Sequence, residues 1–301
     1  MSLERPRFIH FSGNRNPLSH ALHTELMGYL EGRTGETALK DFVDFYARSH
    51  PESLLTTHGE AGYTDLHNAI SLPYHCEWTG QRHDNDYARI PDIDDRALKA
   101  FNIINDACVR YLHALDYVKV AGRANRYKKN ILHSALLTKR AAIVSHVFSS
   151  IRKSIAQLSD IYDWDRYYKD MLLQPSPAGN TILHLALYTG NKEIIDFVLN
   201  ELAILEPQER KAMLMAPFGR DRNILHLLLS GAKEDMPYIR EKVIQFAIDA
   251  CGEEEAERLL TSLAQQKDGH GVDCLKSGTP ESKQFWRNLV YTYNETTAAR
   301  R

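Results

Sequence analysis

Apolar residues recur along this chain at helical spacing, in short stretches separated by turn chemistry. Ile143, Val144, Val147, Phe148 and Ile151 stand at i, i+1, i+4, i+5 and i+8, and Ile194, Ile195, Val198, Leu199 and Leu202 repeat that spacing. Each stretch lays one apolar stripe along a helix. Ahead of such stripes lie shorter apolar runs opened by Thr64, Asn130, Thr181 or Asn223, residues whose side chains cap helix N-termini well. Further helical segments are predicted behind them, at Pro51 to Leu55, Trp164 to Leu173, Pro207 to Met215 and Glu253 to Leu263. The predicted class is all-α. A unit of two or three short helices cannot bury its stripe alone, so neighbouring units must stack.

One phrase recurs in this pattern. It is clearest from Gly179 to Leu199, as Gly-Asn-Thr-Ile-Leu-His-Leu-Ala-Leu-Tyr-Thr-Gly-Asn-Lys-Glu-Ile-Ile-Asp-Phe-Val-Leu. It returns as Asn130-Ile-Leu-His133 with Ala135, as Asn223-Ile-Leu-His226, and as Thr64-Asp-Leu-His67 with Ala69. Weaker copies stand at Asn16-Pro-Leu-Ser19 and at Gly269-His-Gly271-Val-Asp-Cys274-Leu275. The phrase resembles the ankyrin repeat: Thr181, Ile182, Leu183, His184 and Ala186 match its T-P-L-H-x-A signature, with Ile182 in place of proline, and Gly190 with Glu193-Ile194-Ile195 matches its turn and second helix. Aligned on the Thr/Asn position, the copies begin at 16, 64, 130, 181, 223 and 271, giving spacings of 48, 66, 51, 42 and 48. All exceed the family's unit of about 33 residues. The resemblance therefore implies an ankyrin-type helical solenoid with lengthened repeats, each carrying an extra helix. Its units run approximately 13–60, 62–127, 128–178, 179–219, 221–268 and 269–296, as one array over 1–301, with an insertion at 73–91 in the second unit.

Composition narrows the function. Lys and Arg total 37 against 39 Asp and Glu, so no global field favours nucleic acid. Cys76, Cys108, Cys251 and Cys274 are scattered without a C-x-x-C pair, the usage of reduced thiols in a cytosolic setting. Glu4 and Arg5 stand where a signal peptide would place its apolar core, and no run of 18 apolar residues occurs, so the expectation is a soluble protein with no membrane insertion. The expected location is cytoplasmic, or the inside of a host cell reached without a cleaved signal.

Candidate chemistry is sparse. His67, His133, His184 and His226 could suggest a metal, yet their positions are fixed by the phrase, and in the resembled family the equivalent histidine ties hairpin to helix by hydrogen bonds. The insertion holds His75, Cys76, His83, Asp84 and Asp86, possible ligands at a spacing that follows no established zinc pattern. Asp163-Trp-Asp165 and Asp92-Ile-Asp94 have a D-x-D look. The first of these adjoins an apolar stripe of Ile161, Trp164, Tyr168 and Leu172, which favours an amphipathic core helix. Gly-rich phosphate loops and the H-E-x-x-H and G-x-S-x-G motifs are missing. No cofactor, metal or small-molecule substrate is expected. A basic cluster, Arg123, Arg126, Lys128, Lys129, Lys139 and Arg140, is either a solvated face or a docking patch for an acidic partner.

The resemblance implies a protein-binding module rather than an enzyme. Its binding surface would fall on the variable positions of hairpin tips and first helices: Lys129, Leu137, Thr138, Asn180, Tyr188, Thr189, Arg222 and Ser230. The lengthened units also resemble those of ankyrin effectors that intracellular bacteria deliver into host cells, so a host protein is the implied partner. The alternative is an effector enzyme whose catalytic or metal site lies in the 73–91 insertion.

Overall fold

The computed structural model of the protein describes residues 17–55, 57–58, 63–71, 90, 92–122, 129–157, 164–176, 178–219, 221–230, 236–272, 274, 280 and 284. The fold is all-α, with fourteen α-helices among these residues. They fall into five consecutive sets. The first holds α1 (Pro17–Leu30), α2 (Glu36–Ser49) and a 3₁₀ turn at Pro51–Leu55. The second holds α3 (Asp65–Ser71), α4 (Ile93–Tyr111) and α5 (Ala114–Gly122). The third holds α6 (Ile131–Leu137), α7 (Ala141–Gln157) and α8 (Trp164–Leu173), and the fourth α9 (Ile182–Thr189), α10 (Lys192–Leu202) and α11 (Pro207–Met215). The fifth holds α12 (Ile224–Ser230), α13 (Met236–Cys251) and α14 (Glu253–Gln265).

Corresponding helices meet in chain order. The first helices pack as α1 on α3, α3 on α6, α6 on α9 and α9 on α12, and the second helices as α2 on α4, α4 on α7, α7 on α10 and α10 on α13. The buried apolar side chains, from Leu22 to Cys274, form one connected core. The only paired strands among the described residues are Thr57–His58 and Tyr63–Thr64, antiparallel with Thr57 opposite Thr64.

Local sequence explains the boundaries. Helix α10 starts because Asn191 accepts hydrogen bonds from the N–H groups of Glu193 (2.9 Å) and Ile194 (3.3 Å). Its stripe of Ile194, Ile195, Val198 and Leu202 is fully buried. Helix α9 ends at Gly190, whose φ of 68° is a left-handed conformation that glycine adopts without steric cost. Helix α11 begins with Pro207 at its first position and a reciprocal Glu206/Glu209 capping box.

Several polar groups buried between sets are paired. Tyr117 donates to Asn105 Oδ1 at 2.8 Å and Asn105 donates to Ser154 at 3.0 Å, joining α5, α4 and α7. Tyr168 of α8 donates to the buried Glu201 of α10 at 2.7 Å. Such pairs fix the register between apolar faces that could otherwise slide.

Candidate functional site

The loop before α9, the loop before α12 and the loop after α14 share one geometry. Ser176 and Asn180, Phe218 and Arg222, and Asp268 and Val272 are joined by backbone bonds from the first residue's N–H to the second residue's carbonyl, at 2.9, 2.8 and 2.9 Å. The residue before the second partner is left-handed every time: Gly179 at φ 77°, Asp221 at 57° and Gly271 at 73°. At Gly179 a side chain is excluded twice over, because a Cβ would also lie 2.2 Å from the Pro217 carbonyl of the next loop. These bonds correct the register of the last copy. Gly271 is the counterpart of Gly179, not of Thr181, so the spacing read from position 271 is two residues short.

At α3, α6, α9 and α12 a Thr or Asn caps the helix, and the phrase histidine closes back on the cap. His67, His133, His184 and His226 are all buried. Their Nδ1 atoms lie 2.7, 2.8, 2.9 and 3.0 Å from the side-chain oxygens of Thr64, Asn130, Thr181 and Asn223. Burial makes protonation unfavourable, pushing His133 and His184 down to about 4. Nε2 of His226 lies 3.3 Å from the Val272 carbonyl of the following loop. The ring of His184 instead packs on Phe218 of its following loop, with centroids 4.6 Å apart.

Asparagine adds a contact that threonine cannot. Asn130 Nδ2 donates to the Met171 carbonyl (2.8 Å) and to Gln174 Oε1 (3.1 Å) at the end of α8. Asn223 Nδ2 does the same with the Leu263 carbonyl (2.7 Å) and Gln266 Oε1 (3.2 Å) at the end of α14. One residue type thus holds the third helix of its own set against the start of the first.

The eight positions expected at the binding surface divide. Tyr188 is 50% exposed at the end of α9, whose residues from Ile182 to Leu187 are all buried. Lys139 lies with Nζ 5.6 Å from the Tyr188 ring centroid. Arg222 is half-exposed, with Nε 3.9 Å from Asp268 Oδ2 of the next loop. Asn180 and Lys129 are half-buried, and burial pushes the Lys129 amine down. Leu137 is half-buried against the core. Thr189 is half-buried, donating to the Ala186 carbonyl at 2.6 Å and accepting from the Asn191 N–H at 3.1 Å. Ser230 ends α12, and its side chain lies outside the described residues.

Thr138 is a correction. It is only 2% exposed, because its hydroxyl donates to the Ala135 carbonyl at 2.6 Å and accepts from the Arg140 N–H at 3.2 Å. Thr189 makes the same two bonds, so this column of the phrase serves the turn after the first helix, and Thr138 is removed from the surface.

The sequence reading passed over two other residues. Asp65 occupies the column that holds Ile131, Ile182 and Ile224, and it is 1% exposed, with Oδ1 3.4 Å from His23 Nδ1. The signal was visible as one polar residue in an apolar column. Lys139 was read only as part of a basic cluster, and its place beside Tyr188 depends on how neighbouring sets stack.

The remaining candidate chemistry is limited. The insertion at 73–91, with His75, Cys76, His83, Asp84 and Asp86, lies outside the described residues apart from Ile90, as do Arg123, Arg126, Lys128 and Asp163. Tyr168 and Leu172 of the adjacent stripe are buried. Among the described residues no group of three or more His, Cys, Asp or Glu is placed to hold a metal ion, and no helix is long and apolar enough to cross a membrane. A cleft of about 340 Å³ lies between α7 and α10, lined by Ser149, Arg152, Lys153, Ala156 and Glu201. Its carboxylate is already engaged by Arg152 at 3.6 Å and by Tyr168 at 2.7 Å. No family model matches the chain, and no curated protein or solved structure matches it either.

Proposed function

We propose that the chain is an ankyrin-type array that binds a protein through the face made by its loop tips and first helices. The observation that carries this reading is the row α1, α3, α6, α9 and α12, each helix packed on the next. Such a row repeats the same surface positions from set to set. On that row Tyr188 stands half-exposed at the end of an otherwise buried helix, and Arg222 half-exposed at the next loop. Tyrosine and arginine are the residue types that most often dominate binding energy. A role as an effector acting on a host protein rests on the resemblance of the lengthened units to secreted ankyrin effectors.

The test is a paired substitution. With a captured partner, Tyr188→Ala combined with Arg222→Ala is expected to weaken binding by about 2 kcal/mol or more. The melting temperature should change little, since Arg222 Nε is 3.9 Å from Asp268 Oδ2 and that carboxylate keeps its bonds from the His270 and Val272 N–H groups. Binding equal to wild type would remove this face from the account.

A further inference from the structure

The charge on this face is uneven in a way that the whole chain is not. With 37 basic against 39 acidic side chains, the protein has no overall bias, so any cationic surface is a local arrangement. On the loops and first-helix ends of the third to fifth sets, the basic side chains among the described residues are Lys129, Lys139, Arg140, Arg222 and Lys267, and the acidic ones are Asp221 and Asp268. Asp268 is committed internally: its carboxylate accepts from the N–H groups of His270 (2.9 Å) and Val272 (3.0 Å). The Val272 bond is the main cause of its lowered pKa.

The cations are placed by the fold. Lys129 precedes the cap of α6, and Lys139 and Arg140 follow its last turn, so basic groups bracket both ends of one short helix, about 10 Å apart along its axis. Lys139 reaches forward to the Tyr188 ring of the fourth set, while Arg140 reaches back to Asp94 of the second at 3.7 Å. A lysine resting on an aromatic face loses less freedom when it meets a carboxylate, and the ring supplies apolar contact beside the charge.

We infer that the segment bound at this face is a carboxylate-rich peptide, with acidic residues meeting Lys139, Arg140 and Arg222 around an apolar contact on Tyr188. This rests on the proposed protein-binding reading and names the chemistry of its partner. At physiological salt the screening length is about 8 Å, so the attraction acts by contact and not from a distance.

A random dodecapeptide display library, panned on the full chain, is the probe. Recovered peptides should be enriched in Asp and Glu. A synthetic copy should bind more weakly as salt rises, and should lose about tenfold or more in affinity to the protein carrying Lys139→Glu and Arg140→Glu. Lys139→Asn alone is the second variant: it removes one charge and suits the left-handed φ of 56° at that position, so weaker binding by it cannot be laid to backbone strain. Peptides that need Tyr188 but bind the charge-reversed protein as well as wild type would overturn the inference and leave the binding face standing. Peptides indifferent to Tyr188→Ala would overturn both. Recovery of no peptide would overturn the inference. So would tighter binding, with the same dependence on Lys139, of single-stranded RNA or of phosphatidylserine vesicles, which would make the ligand a generic polyanion.

Discussion

At the residue scale, the difference between asparagine and threonine at the helix cap has a measurable consequence. Both side chains accept from the first-turn N–H groups, but only Asn130 and Asn223 also donate across the set to the end of the third helix. Asn130→Ala and Asn223→Ala remove a cap together with the Nδ2 bonds to the end of the third helix, at an expected cost of about 1–3 kcal/mol each in urea unfolding. Replacement by threonine keeps the cap and loses only the tether, so about half of that cost should return. Equal costs for alanine and threonine would show that the tether contributes nothing. The histidines give a pH dependence with a definite sign. His133 and His184 sit near 4 in the fold because of burial, against about 6.5 in an unfolded chain. The unfolded state therefore binds more protons between those values, and stability falls as pH drops through that window. The loss should reach on the order of 3 kcal/mol for each histidine near pH 4. Urea midpoints measured from pH 7 down to pH 4.5 should shift downward, and replacing both histidines with glutamine should flatten the slope, at lower stability overall. A slope unchanged by that replacement would place the titrating groups elsewhere.

At the element scale, the short helices were legible because their caps and stripes are local signals. Trp164–Leu173 and Pro207–Met215 are helices over the ranges the pattern suggested, since Pro207 and the Glu206/Glu209 box mark a start without any tertiary information. The third helix of the second set, Ala114–Gly122, was missed: no preceding cap residue announces it, and it is held by Tyr117 reaching a buried network on two other helices. The register of the last copy was missed for the same kind of reason, because backbone bonds between Asp268 and Val272 define it, not side-chain identity. Thr138 was misplaced because the resemblance marks its column as variable, whereas here the hydroxyl is used by the turn. The loop geometry yields its own prediction. Gly179→Ala would force a Cβ to within 2.2 Å of the Pro217 carbonyl at a positive φ, and is expected to cost about 2–4 kcal/mol. The same substitution at Gly271, where a Cβ meets nothing within 4 Å, carries only the backbone penalty of about 1 kcal/mol. Equal losses at the two positions would mean that the loops do not pack on one another as described.

At the scale of the whole molecule, two rows of helices joined through one core place residues from distant stretches of sequence side by side. Lys139 and Tyr188 are 49 positions apart in the chain, yet form one surface feature. Periodicity and caps foretell helices, but which exposed side chains become neighbours follows from the stacking of corresponding positions. In the proposed function this shared surface, and not the exposed face of the second helices, meets the partner. Photo-cross-linking tests it most directly. Benzoylphenylalanine placed at position 188 on the row of first helices, and separately at position 153 beside the cleft of α7 and α10, is incubated with cell lysate and irradiated. A discrete protein adduct is expected from position 188 and none from position 153. An adduct from 153 with none from 188 would contradict it.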